Sequence, residues 1–375
     1  MKYSLIVVWS LLAAVCLLMS AHPAQAADSD AETARLIAEL SLKESSRPLS
    51  GLPGWRAPTR IILRTDKPER LAWFQAAVPG VELVEAGNPE EAAALAHDAD
   101  AVIGFCTPAI LEAGKQIRWI QLLSAGVERC VALPGFAARG IVLTNMQKIA
   151  GPVMSEHVLA FMLGLARGFA SYVPLQAHGR WAPDAVGDDR MWSLDGRTLL
   201  VVGLGGIGTE VARRAQALGM TVIAIRNSSR EGPPFVSEVG LSGQLHAFAG
   251  RADVVVNTLP LTPETRSIYD KGFFDAVQRG ALFINVGRGA SVVTGDLVAA
   301  LADGRVGGAG LDVTDPEPLP ADHPLWRAPN VLITPHVSAN ADLGEEPRWL
   351  IVRENVRRFV AGGRLLSEVD LQRGY

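Results

Sequence analysis

An arginine, a histidine and two nearby carboxylates have the chemistry needed to move a proton beside a bound carboxylate. Arg288 directly follows an apolar stretch, and a guanidinium can clamp a carboxylate or polarise a carbonyl group. His336 follows another apolar stretch, and by spacing alone either Asp315 or Glu317 could orient its imidazole. An imidazole held by a carboxylate is a common general acid and base. Considered singly, Arg288 could be a structural ion-pair residue and His336 a structural histidine.

A glycine-rich turn in the middle of the chain predicts a site for a dinucleotide. An apolar run, residues 199–202, leads into a G-x-G-x-x-G pattern, and apolar residues at near-helical spacing follow. The turn consists of Gly203, Leu204, Gly205, Gly206, Ile207 and Gly208. In this pattern Gly203 permits a tight turn, Gly205 allows close approach of a pyrophosphate, and Gly208 allows close packing of helix on strand. The N–H groups at the start of the helix favour phosphate. A purely structural turn is the alternative.

Residues after the next apolar run favour a phosphorylated dinucleotide. An NAD-binding domain carries Asp or Glu about 20 residues after the glycines, to hold the ribose 2′-hydroxyl. Arg226 stands at that position here, and a guanidinium pairs well with a 2′-phosphate. Asn227, Ser228 and Arg230 follow it and could add donors. We therefore expect NADP(H), with NAD(H) possible and a solvated basic loop as the structural alternative.

Length and composition limit the function classes. The chain has 375 residues, of which 49% are hydrophobic, so it can bury a large core and divide into two domains. Its net charge is −4 without a basic tract, which argues against nucleic acid as the main partner. No Cys/His spacing indicates a metal site. Cys106 and Cys130 could form a disulfide in an oxidising compartment, but we expect buried free thiols.

The amino-terminal residues have the pattern of a secretory signal peptide. Lys2 precedes an uncharged apolar run over residues 3–19, and Ala24-Gln25-Ala26 fits a cleavage site. The run is short for a membrane span, and no Arg-Arg pair is present, which favours Sec-type export. We expect a periplasmic or secreted protein, without stable membrane insertion after cleavage. The alternatives are an uncleaved anchor and initiation at Met19, which would leave the protein in the cytoplasm.

Apolar runs alternate with helical stretches and predict two parallel sheets. The first series comprises residues 60–63, 81–84, 101–104, 119–123 and 141–143, and the second comprises 199–202, 221–225, 253–256, 281–286, 309–313 and 331–333. Six strands with the glycine turn after the first describe a doubly wound dinucleotide domain. A long helix over residues 151–170 is expected to connect the domains, and a last helix over about 346–360 to return to the first domain.

The predicted fold is a two-domain α/β protein, with a Rossmann-type cofactor domain inserted in a smaller flavodoxin-like substrate domain. Residues 1–26 are assigned to the signal peptide and 27–57 to a lead-in on the surface. Residues 58–150 and 336–375 are assigned to the substrate domain, and 151–335 to the dinucleotide domain.

Short motifs in a fixed order resemble those of the D-isomer-specific 2-hydroxyacid dehydrogenases over nearly all of residues 58–375. They are Ser124–Glu128, Ser155–His157, Leu204–Gly208, Leu259–Thr265, Asn285–Gly289, Asp315–Pro318, Thr334–His336 and Gly374–Tyr375. The resemblance implies hydride transfer between a nicotinamide and a small 2-keto or 2-hydroxy acid, in a homodimer. The loop at Arg226 is similar to that of NADP-preferring glyoxylate/hydroxypyruvate reductases, which makes these acids the expected substrate class.

The same resemblance implies roles for individual residues. The implied catalytic residues are Arg288, Glu317 and His336. The implied substrate-binding residues are Ala125, Gly126 and Val127, through their N–H groups, and Arg288. Beyond the glycine turn and the Arg226 loop, the implied cofactor contacts are Leu259, Pro260, Val286 and Asp312.

Three further residues have weaker signals. His323 and Trp326 resemble a family loop near the active site, although packing within a turn is the favoured role. His157 shares a helical face with apolar residues and is expected in the core rather than at a ligand.

Two other functions remain open at this point. A nucleotide-sensing binding protein, such as the C-terminal-binding-protein corepressors, keeps this fold without needing turnover. An exported homologue could also be catalytically idle, because nicotinamide cofactors are expected to be scarce outside the cytoplasm. The complete set of Arg288, Glu317 and His336 favours an enzyme.

Overall fold

Two parallel sheets, each covered by helices on both faces, form the core of the computed structural model, which describes residues 29–187, 191–341 and 345–374. The predicted signal peptide lies outside the described residues. The sequence of elements follows the predicted alternation of strands and helices, with differences at particular places.

The first sheet has five parallel strands in the order β2-β1-β3-β4-β5. The strands are β1 Arg60–Leu63, β2 Glu82–Glu85, β3 Ala101–Ile103, β4 Trp119–Gln121 and β5 Val142–Thr144. This strand order is the flavodoxin-like one. The helices before and between the strands are α1 (29–39), α2 Pro68–Ala77, α3 Pro89–Leu95, α4 Pro108–Ala113 and α5 Glu128–Val131.

The second sheet has seven parallel strands in the order β12-β11-β10-β9-β6-β7-β8. They are β6 Thr198–Val202, β7 Thr221–Ile225, β8 Glu238–Gly240, β9 Val254–Asn257, β10 Ala281–Asn285, β11 Val306–Leu311 and β12 Val331–Ile333. The prediction of six strands was wrong by one. The missed strand, β8, has three residues at the sheet edge and a single large apolar side chain, so its sequence carries no strand pattern.

Helices cover both faces of the second sheet. They are α6 Gly151–Ala166, α7 Phe169–Ala177, α8 Gly206–Ala217, α9 Leu245–Ala249, α10 Lys271–Ala276 and α11 Thr294–Ala302. Side chains of α6 and α8 pack on one face, and those of α9, α10 and α11 on the other.

The long helix predicted over residues 151–170 is two helices in the structure. The chain bends by 81° between α6 and α7, where Gly168 has a φ of +72°. Within the described ranges, no single helix is long and apolar enough for a membrane span. Taken together, α6 and α7 have that length and composition, and they are the one bent pair in those ranges that does.

The last helix, α12 Glu345–Val360, packs against the first sheet rather than the second. Its buried side chains include Trp349, Val352 and Phe359, and Phe359 lies against Trp119 of β4 with ring centroids 4.8 Å apart. The chain therefore passes from the first sheet to the second and back.

The lead-in at residues 29–57 is more than a surface segment, so that prediction was wrong in part. Leu42 and Leu49 are buried in the core under the first sheet. The N–H of Ser45 donates to the carbonyl of Leu365 at 2.7 Å, which fixes the segment to the chain after α12. Its apolar positions are too sparse to form a recognisable period, which is why sequence reasoning placed it outside.

Cys106 and Cys130 form a disulfide, so the expectation of free thiols was wrong. Cys106 lies in the segment after β3, and Cys130 lies in α5 after β4. Because β3 and β4 are neighbouring parallel strands, the segments after them start at the same sheet edge. The two Cα atoms are 5.6 Å apart, within the range that a disulfide requires.

Candidate active site

A cleft of about 370 Å³ lies between the carboxyl ends of the two sheets. Its walls are the segments after β4, β5, β9 and β10, together with His336 and the α12 side chain Arg348. The carboxyl ends of parallel strands form the usual ligand crevice of such folds. The cleft therefore has contributions from both domains.

His336 and Glu317 form the acid–imidazole pair that spacing alone left open between two carboxylates and that the family resemblance implies. The Nδ1 atom of His336 lies 2.6 Å from a carboxylate oxygen of Glu317. With Nδ1 donating to Glu317, the other ring nitrogen is left for a proton transfer in the cleft, which His336 lines. The contact recorded for Asp315 is through its backbone, since its main-chain carbonyl accepts from the hydroxyl of Thr294 at 2.8 Å.

Asp312 holds the turn that carries His336. Its buried carboxylate accepts from the hydroxyl of Thr334 at 2.7 Å and from the N–H groups of Val337 at 2.9 Å and Ser338 at 3.1 Å. His336 itself has a φ of +55°, and its N–H donates to the carbonyl of Asp312 at 2.8 Å. Only 1% of Asp312 is exposed in the structure. The nicotinamide contact that the resemblance implies for Asp312 stays a prediction.

The charge on Asp312 is maintained by these hydrogen bonds. Burial alone would raise the pKa of its carboxyl, but hydrogen bonds from Ser338, Thr334 and Val337 outweigh burial and hold the pKa below its ordinary value. Asp312 is therefore an anion whose acceptors are used to fix the segment around the histidine.

His157 connects α6 to the same network. Its Nε2 lies 2.9 Å from the hydroxyl of Thr334, and its ring meets Phe161 edge-on with centroids 4.7 Å apart. This is the packed helix face expected from the sequence. His157 is not among the residues that line the cleft.

Arg288 is held by the backbone and by a carboxylate from the other domain. Its Nη1 donates to the carbonyl of Gly287 at 2.7 Å. Its Nε lies 3.1 Å from one carboxylate oxygen of Glu128, and its Nη2 donates to the other at 3.5 Å. Sequence reasoning drew no conclusion from Glu128. The available signal was an acidic residue directly after the loop expected to bind a carboxylate.

The loop of Ala125, Gly126 and Val127 lines the cleft next to Arg288. Asn145, directly after β5, fixes this loop, since its side-chain amide donates to the carbonyl of Ala125 at 2.7 Å. A Cβ at Gly126 would lie 2.0 Å from Nη2 of Arg288, so a side chain there would displace the guanidinium from its present position. Within the described part of the chain, the three N–H groups of this loop donate to no protein acceptor.

The glycine turn has the geometry that its sequence predicts. Gly203 has a φ of +102°, and a Cβ on Gly208 would lie 2.0 Å from the carbonyl oxygen of Gly203. Around Gly205, by contrast, no other described residue beyond its chain neighbours lies within 4 Å of an added Cβ, which leaves room for a ligand. Helix α8 begins at Gly206, so its free N–H groups point toward this space. The turn thus fits a pyrophosphate.

Other predicted cofactor residues border the same region. Ile207, Leu259, Pro260 and Val286 line the cleft. The segment after β7 carries Arg226, Asn227, Ser228 and Arg230, next to the glycine turn because β7 pairs with β6. Arg226 donates from Nη1 to the carbonyl of Glu231 at 2.8 Å and keeps further N–H donors. This basic, exposed segment fits a phosphate group.

His323 and Trp326 bond within their own turn, the role favoured from the sequence. His323 accepts from the N–H of Leu325 at 3.2 Å, and the Trp326 indole donates to the carbonyl of Pro320 at 2.8 Å. Across the residues that the structure describes, no group of three or more His, Cys, Asp or Glu side chains could hold a metal ion.

Comparisons with known proteins identify the family. The domain family described as "D-isomer specific 2-hydroxyacid dehydrogenase, NAD binding domain" matches residues 159–338. Glyoxylate/hydroxypyruvate reductase A of Escherichia fergusonii is 31% identical over 285 residues, covering 74% of this chain and 89% of that protein. This chain belongs to the D-isomer-specific 2-hydroxyacid dehydrogenase family.

Solved structures of other 2-hydroxyacid dehydrogenases are similar over most of the chain. A family member from Aeromonas salmonicida is 33% identical with a TM-score of 0.72, covering 84% of this chain and all of that one. The NADPH-dependent glyoxylate/hydroxypyruvate reductase of Sinorhizobium meliloti, solved with NADP and sulfate, is 29% identical with a TM-score of 0.72 and the same coverage. The predicted α/β fold of a dehydrogenase with a doubly wound cofactor domain is confirmed.

Proposed function

We propose that this dehydrogenase reduces a small 2-keto acid, of the glyoxylate or hydroxypyruvate class, to its D-2-hydroxy acid with NADPH. The observation that carries the proposal is the His336–Glu317 pair, 2.6 Å apart, on the cleft that Arg288 also lines. Support for the substrate and coenzyme comes from relatives named glyoxylate/hydroxypyruvate reductase and from a neighbour solved with NADP.

The residues around the glycine turn would hold the coenzyme. The N–H groups at the start of α8 would bind the pyrophosphate, since Gly205 leaves the approach open. Arg226, with Ser228 and Arg230, would pair with the 2′-phosphate. When bound, the nicotinamide supplies the hydride that reduces C2 of the keto acid.

The chain's own residues orient the acid and move the proton. The free N–H groups of Ala125, Gly126 and Val127 bind the carboxylate, and Arg288 polarises the keto oxygen while sharing the carboxylate. Protonated His336 then donates from Nε2 to that oxygen, and Glu317 on Nδ1 stabilises the imidazolium and its orientation. In the oxidation direction the neutral imidazole accepts the same proton. Closure of the two domains over the cleft would exclude water.

A substrate panel with one histidine substitution and one matched control tests the proposal. Oxidation of NADPH is followed with glyoxylate, hydroxypyruvate and pyruvate. We expect turnover by the native protein and a loss in kcat/KM of about 10²–10⁴-fold in His336→Asn, because the general acid is removed. His97→Asn is the control, since His97 is 70% exposed and lies outside the cleft.

Each alternative function predicts a different outcome. NADPH that binds without being oxidised by any acid of the panel would favour a nucleotide-sensing protein. A His336→Asn variant that keeps the native kcat/KM would remove the imidazole from the mechanism, even if the native protein is an active reductase.

A further inference from the structure

The contact between Glu128 and Arg288 joins the two domains across the cleft. Glu128 is the first residue of α5 in the first domain, whereas Arg288 follows β10 in the second. Both side chains are largely shielded from water, with 25% and 29% exposure, and both line the cleft. An ion pair at this depth is worth more than one on the open surface.

The contacts of Arg288 leave a defined set of donors for a ligand. A guanidinium has five N–H groups, two on each terminal nitrogen and one on Nε. Glu128 faces the edge formed by Nε and Nη2, and the carbonyl of Gly287 takes one N–H of Nη1. One N–H on each terminal nitrogen therefore remains within the described structure. Two such donors in one plane match either the two oxygens of a carboxylate, or one carboxylate oxygen and the keto oxygen.

Glu128 is itself held in place from two sides. Cys130, two residues further along α5, is 2% exposed and bonded to Cys106. On the other side, a Cβ on Gly126 would meet the guanidinium at 2.0 Å, so a side chain there would push Arg288 away from Glu128. The carboxylate of Glu128 is therefore presented by a rigid segment, and it can reach Arg288 only while the domains are close together.

We propose that Glu128 is the positioning residue for Arg288. It fixes the plane of the guanidinium across the cleft, so that the two remaining N–H groups face the anionic substrate. This inference rests on the proposed function, because it assigns Glu128 a role in the same reaction. A carboxylate from the opposite domain makes the orientation of Arg288 depend on closure, which a partner on its own domain would not do.

A double-mutant cycle tests the coupling. Single-turnover oxidation of bound NADPH with glyoxylate is measured for the native chain, Glu128→Gln, Arg288→Lys and the double variant. We expect Glu128→Gln to lower the rate by about 10-fold in the native background, within the range of coupled pairs. In the Arg288→Lys background it should change the rate by less than about 2-fold, because lysine has no planar fork to orient. Equal effects in both backgrounds would overturn the proposal.

Two further variants separate positioning from damage to the fold. Glu128→Asp keeps the charge and should recover part of the rate lost in Glu128→Gln, whereas a general packing defect would not be rescued. Glu90→Gln, at an exposed position in the first turn of α3, removes the same charge outside the cleft and should keep the native rate. No rescue by Glu128→Asp, or a loss in Glu90→Gln as large as in Glu128→Gln, would contradict the assignment.

A binding measurement distinguishes failure of this inference from failure of the proposed function. Oxalate, an unreactive analogue of a 2-keto acid, is titrated into the protein saturated with NADP. Glu128→Gln should weaken oxalate binding about 10-fold with Arg288 present and leave it unchanged with Arg288→Lys. If the native chain reduces no 2-keto acid but shows this pattern, the reaction assignment fails and the positioning role stands. If it reduces glyoxylate without this pattern, only the positioning role fails.

Discussion

At the residue scale, Arg226 carries the proposed preference for NADP(H). It stands where an acidic residue would hold a ribose hydroxyl, and one of its N–H groups already fixes the side chain to the carbonyl of Glu231. Removing its charge should therefore affect the phosphorylated coenzyme far more than the unphosphorylated one.

We expect Arg226→Ala to raise the KM for NADPH by about 10- to 100-fold, the cost of a charge-assisted hydrogen bond, and to change the KM for NADH little. Steady-state kinetics with glyoxylate and each coenzyme give both values. Arg279→Ala is the matched control, because it removes the same charge from an exposed arginine. Arg279 precedes β10 and so lies at the amino ends of the strands, whereas Arg226 lies at their carboxyl ends. An equal rise for both coenzymes would refute the role of Arg226.

The site illustrates what single residues reveal in sequence. Arg288 and His336 are recognisable because each follows an apolar strand, and strand ends in such sheets converge on one crevice. Spacing alone did not choose between Glu317 and Asp315, since both carboxylates occupy the same short segment; the family resemblance chose Glu317, and the hydrogen bond to His336 agrees with it. Glu128 lies 160 positions from Arg288, and no local pattern connects residues at that distance along the chain.

At the element scale, the glycines of the turn serve two different purposes, close packing of helix on strand and access for a ligand. Gly208 is in contact with the strand before it, whereas Gly205 borders open space. The same substitution at these two positions should consequently have different effects.

Gly208→Ala should lower the free energy of unfolding by about 1–3 kcal/mol, because its Cβ would overlap the carbonyl of Gly203 and crowd Val201. Gly205→Ala should leave that free energy unchanged and weaken NADPH binding instead. Urea unfolding and fluorescence titration with NADPH measure the two quantities. Similar unfolding curves for both variants would show that helix and strand do not need the glycine contact.

Strands with a continuous apolar pattern were predictable, and those without one were not. β1, β7 and β12 lie at the predicted residues. β11 begins earlier than predicted, at Val306, because Gly307 and Gly308 interrupt the pattern. Gly310 of that strand is required by tertiary packing, since a Cβ there would lie 2.6 Å from the ring of Phe161 in α6. Local periodicity contains no information on such contacts.

At the scale of the whole molecule, the disulfide bears on where the protein works. Disulfides persist in oxidising compartments, and the amino-terminal residues have the pattern of an export signal. We propose that the native protein is exported and that its signal peptide is cleaved after Ala26. Sequencing the amino terminus of the native protein tests this proposal. A native chain beginning at Met1 or Met19 would refute this. Homodimer formation stays a prediction from the family.

The disulfide should also stabilise the first domain measurably. It joins residues 24 positions apart, for which the chain-entropy estimate is about 3 kcal/mol. We expect Cys106→Ala/Cys130→Ala to lower the free energy of urea unfolding by up to about that amount. A thiol reductant should lower the native midpoint toward that of the variant and leave the variant unchanged. An identical midpoint for the oxidised native chain and the variant would mean that the cross-link adds no stability.

The return of α12 to the first sheet has a mechanical consequence. Because the backbone crosses between the two domains twice, we expect the two crossings to restrict how the domains can move relative to one another. Opening of the cleft should then be mainly a rotation about the line through both crossings, and the reverse rotation should bring Glu128 and Arg288 back into contact.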